Sequence, residues 1–168
     1  PLIKEANKLG LKTIVSDLNK ECVAKEYAES FVHIDIFDIE GHLKYLKNCT
    51  LNITGVLAAG IDAPETMAAM NEFLGLKGIS LHTALLVKNK DQFRVKLKDL
   101  GYEMPSFEII RKDNIKDLKH LLSNIPIPLI VKPTNNSGSR DMKIFYEKDE
   151  YLHQFILQNL EKYDVLLV

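Results

Sequence analysis

The sequence predicts an α/β protein in two parts, a Rossmann-like parallel sheet followed by an α+β unit. Short, continuous apolar runs alternate with helical patterns through residues 1–80, which is typical of parallel strands covered by helices on both faces. The organisation changes around residues 77–80. Two helical segments then lead into the order β-α-β-β-α-β, which indicates an α+β unit over residues 81–168.

Glycine and proline mark the ends of the predicted elements in the first part. Gly10 and Gly75 each follow a helical pattern, a position that suits the left-handed backbone at a helix end. Pro64 begins a helix, where its missing N–H costs nothing. The predicted helices are residues 2–9, 22–28, 39–47 and 64–74. The predicted strands are residues 12–17, 31–34 and 55–59, and we expect a further strand before Pro1.

The second part is predicted from the same signals. Pro105 and Ser106 introduce a strand after the two opening helices, and a serine- and glycine-containing loop joins a pair of strands. The predicted helices are residues 81–88, 90–100, 115–123 and 150–160. The predicted strands are residues 107–110, 129–132, 142–146 and 165–168. Because the chain starts inside a helix and stops on an apolar strand, we expect it to be part of a longer protein.

Composition and charge predict a soluble protein with no strong overall field to attract nucleic acid or a membrane. Of the 168 residues, 46% are hydrophobic and 27% are charged, and the net charge is −1. Nucleic acid or an anionic membrane would need a local basic patch, so we predict neither partner. Cys22 and Cys49 lack metal-ligand spacing, which predicts a reduced, cytoplasmic protein. The five histidines show no paired ligand spacing, so we expect no metal site built from them.

The loop after the strand at 129–132 has the groups needed to bind a polyphosphate. Gly138 supplies an unusual backbone conformation, and the serines on either side add hydroxyl donors to the backbone N–H groups. Lys132 would place a compact charge on a phosphate oxygen, and Arg140 could bind one with two donors. The alternative is a flexible polar hairpin with a solvated Lys132.

Three further charged residues lie at the ends of predicted elements. Lys90 lies in the first turn of a helix, where a cation opposes the helix dipole unless an anion is near; the alternative is a surface lysine. Asp17 follows a strand and could bind a ribose hydroxyl, or belong to a turn. Asp62 lies where ligands gather in open α/β sheets, or caps the next helix.

Together these parts resemble the ATP-grasp superfamily, most closely its carbamoyl-phosphate-synthase-like and biotin-carboxylase-like members. The resemblance covers essentially the whole chain. Its motifs are Gly78-Ile79-Ser80-(x5)-Leu86, Asn89-Lys90-(x6)-Leu97-(x2)-Leu100-Gly101-(x3)-Pro105, and Pro128-Leu129-Ile130-Val131-Lys132-Pro133 with Ser137-Gly138-Ser139-Arg140. By this resemblance, residues 1–80 are a pre-ATP-grasp domain without its first strand, and residues 81–168 are the first, incomplete part of an ATP-grasp domain.

The resemblance implies roles for particular residues. The ATP-binding residues would be Lys90, Ile130, Lys132, Ser137, Gly138, Ser139 and Arg140. Lys90 and Lys132 would hold the phosphates in one cleft, residues 135–141 would close over them as a lid, and Ile130 would help wall the adenine pocket. Lys132 and Arg140 would be the catalytic cations. Asp141 departs from the family, which usually has glycine there, and its carboxylate would repel phosphate unless it is neutralised or points outward.

The function implied is that of a ligase. ATP would phosphorylate a carboxylate, and an amine would displace phosphate from the acyl phosphate to form a C–N bond and leave ADP. Ligands for Mg²⁺ are expected after Val168, so we expect residues 1–168 alone to be inactive. A homodimer is compatible with the resemblance. The alternatives are a non-catalytic nucleotide-binding or assembly module and, from residues 1–80 alone, half of a nicotinamide-dependent oxidoreductase.

Overall fold

A computed structural model describes residues 1–168, and the chain divides into two compact units, Pro1–Ala84 and Leu85–Val168. One sheet is parallel and the other is antiparallel. This confirms the predicted α/β class. None of the helices combines the length and the apolar character needed to cross a membrane.

The first unit has a two-stranded parallel sheet, β1 (Ile14–Ser16) and β2 (Ser30–Val32), in which Val15 pairs with Phe31. The helices that accompany it are α1 (Leu2–Lys8), α2 (Ile39–Asn48) and α3 (Pro64–Phe73), and α4 (Leu81–Lys88) contains the division between the units. Asp38 fixes the start of α2, because its side chain accepts a hydrogen bond of 2.8 Å from the backbone N–H of Gly41.

One predicted element of the first unit is wrong, and one predicted helix is present as a 3₁₀ helix. Residues 55–59 do not form a strand, since β1 and β2 pair only with each other, and Leu57 in that run is 68% exposed. An apolar run becomes a strand only where a neighbouring strand offers hydrogen bonds. Residues 22–28 form a 3₁₀ helix, Val23–Tyr27, in which the N–H of Lys25 bonds to the carbonyl of Cys22 three residues earlier.

The side chains of the two aspartates predicted at strand ends, Asp17 and Asp62, make no polar contact beyond a local turn. Asp17 accepts a hydrogen bond of 2.7 Å from the N–H of Asn19, which is the turn alternative. Asp62 does not cap α3, because the residue at the cap position is Ala63 and no side chain bonds there. Neither residue therefore marks a ligand site by its contacts.

The second unit is a four-stranded antiparallel sheet covered by helices. Its strands are β3 (Ile109–Arg111), β4 (Leu129–Pro133), β5 (Lys143–Phe145) and β6 (Val165–Leu167), arranged β3-β6-β4-β5. Its helices are α5 (Lys90–Asp99), α6 (Leu118–Ser123), preceded by a 3₁₀ turn, and α7 (Glu150–Lys162). The predicted order β-α-β-β-α-β is confirmed, and residues 134–142 form the β4–β5 loop.

One face of this sheet builds the core of the second unit. Val131 and Ile110 from the sheet and Leu152 and Ile156 from α7 are fully buried in one cluster. Side chains alternate along β4, so every second residue points into this cluster and the others lie on the opposite face. Ile130 and Lys132 are the two β4 residues on that opposite face.

Candidate functional site

The face of β4 that points away from the core carries an apolar surface next to Lys132. Ile130 pairs directly with Ile144 across the β4–β5 hairpin, which places both side chains side by side. Their exposed fractions are 40% and 46%. Ile144 was not among the predicted site residues, although the predicted pairing of strands 129–132 and 142–146 was the signal that could have identified it.

Lys90, the first residue of α5, is bound to the start of the β4–β5 loop. Its backbone N–H donates to the carbonyl of Thr134 at 3.0 Å. Its ammonium group donates to the same carbonyl at 3.3 Å and to the carbonyl of Asn136. An ammonium group has three donors, so one remains for a further acceptor.

Lys132 lies within electrostatic reach of two other cations. Its pKa is lowered, first because burial disfavours the charged form and then because Arg94 and Lys90 repel it. Neither Lys132 nor Arg94 forms an ion pair or a side-chain hydrogen bond within residues 1–168. We call Lys90, Arg94 and Lys132 the cation cluster. Arg94 was missed, yet it follows Lys90 by four residues and so shares its face of α5.

The acidic residue next to the cation cluster along α5 is engaged elsewhere. Asp91 is 6% exposed, and its carboxylate pairs with the guanidinium of Arg111 on β3 at 3.1 Å. A buried carboxylate needs such a partner. Asp91 is therefore bound to a cation outside the cluster, whose three positive charges keep no acidic hydrogen-bond partner.

Arg140 binds within its own loop and is not part of the cluster. Its Nε donates to the carbonyl of Ser137 at 3.1 Å, and its Nη2 lies 3.4 Å from the hydroxyl of Ser137. The backbone of Gly138 and of Ser139 is left-handed, with φ of 65° and 56°. The structure thus brings Lys90 and Lys132 together and keeps Ser137 to Arg140 in one turn of the loop. Arg140 is not among the cations that lower the pKa of Lys132.

Asp141 is neutralised by the end of α7. Its φ is 56°, the left-handed region that favours glycine and that aspartate tolerates better than most residues. Its carboxylate accepts a hydrogen bond of 2.7 Å from Lys162 and another from the hydroxyl of Tyr163. These two bonds hold the pKa of Asp141 below its usual range. Both bonds go to Oδ2, and the ammonium group of Lys162 offsets the negative charge, so the carboxylate need not repel a bound phosphate.

Comparison with known proteins finds distant relatives, although no protein-family model matches the chain. A D-alanine–D-alanine ligase from Anaplasma marginale is 26% identical over 149 residues, which cover 86% of this chain and 37% of the ligase. An L-arginine-specific L-amino acid ligase from Bacillus subtilis is 26% identical over 143 residues, 82% of this chain and 34% of that enzyme. These similarities confirm the predicted resemblance to the ATP-grasp superfamily. The chain spans little more than a third of these relatives' length.

Solved structures share the fold of this chain. Phosphoribosylglycinamide synthetase from Anaerococcus prevotii has a TM-score of 0.70 and 24% identity, covering 99% of the chain and 41% of the synthetase. The biotin carboxylase domain dimer of 2-oxoglutarate carboxylase from Hydrogenobacter thermophilus, solved with MgADP, has a TM-score of 0.70 and 16% identity, covering 99% and 40%. At these identities the likeness concerns the fold.

Proposed function

We propose that the second unit of this chain binds the phosphates of ATP in an ADP-forming ligase that joins a carboxylate to an amine. The observation that carries the proposal is the cation cluster, in which Lys132 of β4 and two cations of α5 have no acidic hydrogen-bond partner. Holding a half-buried cation next to two others costs free energy, which a bound polyanion offsets. The relatives' names as ligases and the MgADP of one structural neighbour support the same reading.

Each residue of the cation cluster offers a different kind of donor to the phosphates. Lys132 presents a compact charge from the sheet, and Lys90 offers its remaining donor while it holds the loop. Arg94, which the resemblance did not assign, adds a planar donor pair suited to a phosphate oxygen edge. The backbone N–H groups of Gly138 and Ser139 add neutral donors, while those of Ser137 and Arg140 bond within the loop. Arg140 bonds to Ser137 through Nε and Nη2 and keeps the donors of Nη1 for a phosphate, and its predicted catalytic role stays a proposal.

The adenine ring is proposed to lie on the apolar surface of Ile130 and Ile144. Both side chains are a little over half covered, so a flat ring can bury more of them without any repacking of the core. The cluster and this surface share one face of β4, with Lys132 two residues beyond Ile130. That arrangement matches a ligand with an apolar ring at one end and negative charge at the other.

The chemistry follows from what such residues hold in place. ATP supplies the phosphoryl group that converts a carboxylate to an acyl phosphate, and the amine forms the C–N bond as phosphate leaves. The chain's residues bind the polyphosphate and neutralise its charge, which is the larger part of catalysis in phosphoryl transfer. No group of three or more His, Cys, Asp or Glu side chains is arranged to hold a metal ion. We therefore derive no step through Mg²⁺.

Several predictions from the sequence stay proposals alongside this function. They are the use of Mg²⁺, the inactivity of residues 1–168 alone, the two domain assignments, a cytoplasmic location, a homodimer, and small-molecule partners rather than nucleic acid or membrane. Asp141 was the residue that favoured a non-catalytic module. The bonds from Lys162 and Tyr163 to its carboxylate support phosphate binding over that alternative.

Calorimetric titration with ATP and with NADH tests the proposal. Lys132→Ala should weaken ATP binding about 10- to 150-fold, the loss of one charge-assisted contact of about 1.5–3 kcal/mol. The matched control is Lys119→Ala, which removes an exposed lysine from α6. NADH should not bind. Equal ATP affinity in the parent protein and in Lys132→Ala would remove the site assignment, and tight NADH binding would favour the oxidoreductase alternative.

A further inference from the structure

The β4–β5 loop is fastened at both ends to a single hydroxyl group. Near the start of the loop, the side-chain amide of Asn136 donates to the hydroxyl of Tyr163 at 3.0 Å. Near its end, the carboxylate of Asp141 accepts a hydrogen bond from the same hydroxyl. A tyrosine hydroxyl has one donor and two acceptor positions, so it can accept from Asn136 and donate to Asp141 at the same time.

Tyr163 is a rigid attachment point for this loop. Its ring packs against the core cluster of the second unit. Its backbone N–H donates to the carbonyl of Asn159 at 2.8 Å and so closes the last turn of α7. Lys162, the last residue of α7, adds a hydrogen bond of 2.7 Å to Asp141. The loop is thus bound to a helix end that packs against the core.

The loop needs such an attachment because its backbone is not one that its residues favour. Ser139 and Asp141 both have a φ of 56°, a left-handed conformation that is disfavoured for residues with a Cβ atom. Gly138, with a φ of 65°, is the one residue of the three that adopts it freely. Contacts at the two ends of the loop therefore have to maintain the conformation between them.

We propose that Tyr163, Asn136 and Asp141 form a latch that holds residues 137–140 in the conformation that receives the polyphosphate. They are positioning residues, since they act through the loop backbone. Only the identity of the bound ligand, a polyphosphate, rests on the proposed function; the hydrogen bonds of the latch do not. An unfastened loop would have to be ordered when the nucleotide binds, and ordering even one residue weakens affinity about five- to 30-fold.

The test is Tyr163→Phe, which removes the hydroxyl and keeps the ring in the core. Tyr146→Phe is the matched control, because Tyr146 is 71% exposed and lies outside the latch. Amide hydrogen exchange is measured without nucleotide, and ATP affinity is measured by calorimetry. In Tyr163→Phe, the amides of Ser137 and Arg140, which are hydrogen-bonded within the loop, should exchange at least about tenfold faster while those of Val131 and Leu166 in the core stay protected. ATP affinity should fall about five- to 30-fold.

The two measurements test the latch and its role in ATP binding separately. Unchanged exchange of the loop amides in Tyr163→Phe would remove the latch. Faster exchange with unchanged ATP affinity would keep the latch and overturn its role in binding. Failure of the parent protein to bind ATP would overturn the proposed function, and with it the role in binding, while the exchange data still report on the latch. Asp141→Asn is a second variant, which tolerates the left-handed backbone and loses the charge; it too should loosen the loop.

Discussion

Lys132→Met should change stability and nucleotide binding in opposite directions. Methionine keeps an unbranched stem of similar length on the same face of β4, so the substitution removes mainly the charge. That charge is half-buried and repelled by Arg94 and Lys90, as its lowered pKa indicates. With allowance for solvent screening, we expect a gain of about 0.5–1 kcal/mol in the free energy of unfolding without nucleotide. For a chain of this length the gain corresponds to a rise of about 1–4 °C in Tm.

ATP should reverse that order. The variant loses one charge-assisted contact with phosphate, so its affinity falls about 10- to 150-fold. At saturating ATP the parent protein is stabilised more than the variant, by the difference in their binding free energies. The assay is thermal denaturation with and without ATP, with Lys119→Met as the control for a lost surface charge. If Lys132→Met were less stable without nucleotide and bound ATP as before, the charge would serve folding and the reasoning would fail.

Three further predictions concern the same face of the sheet. Because the pKa of Lys132 is lowered, ATP affinity should decline with rising pH below the ordinary lysine value of about 10.4, and this decline should be absent in Lys132→Met. Without ATP the unfolded chain holds that proton more tightly than the folded chain, so stability should rise with pH between the two pKa values. Ile144→Ala should weaken the affinity for ATP about fivefold, from about 1 kcal/mol of lost apolar contact, and leave the affinity for inorganic tripolyphosphate unchanged. Leu157→Ala, on the exposed side of α7, is the control. An equal loss of affinity for both ligands would contradict the adenine surface.

The sequence predicted well those features that depend on neighbours along the chain. The hairpin of β4 and β5 follows from two apolar runs joined by a loop with Gly138, and its pairing places Ile130 next to Ile144. The strand alternation that puts Lys132 on the face opposite Val131 follows in the same way. The strand predicted at residues 55–59 failed because a strand needs a partner, and its own sequence contains no information about one.

Local sequence by itself determined the alternation of elements, the helix ends at glycine and proline, and a loop rich in phosphate-binding groups, since each depends on residues within one or two turns. Tertiary structure alone decided that the ammonium group of Lys90 reaches a carbonyl 44 residues away and that the carboxylate of Asp141 reaches a hydroxyl 22 residues away. The physical reason is that hydrogen bonds and charge repulsion act over a few ångströms. Which distant residues come that close depends on how the core packs.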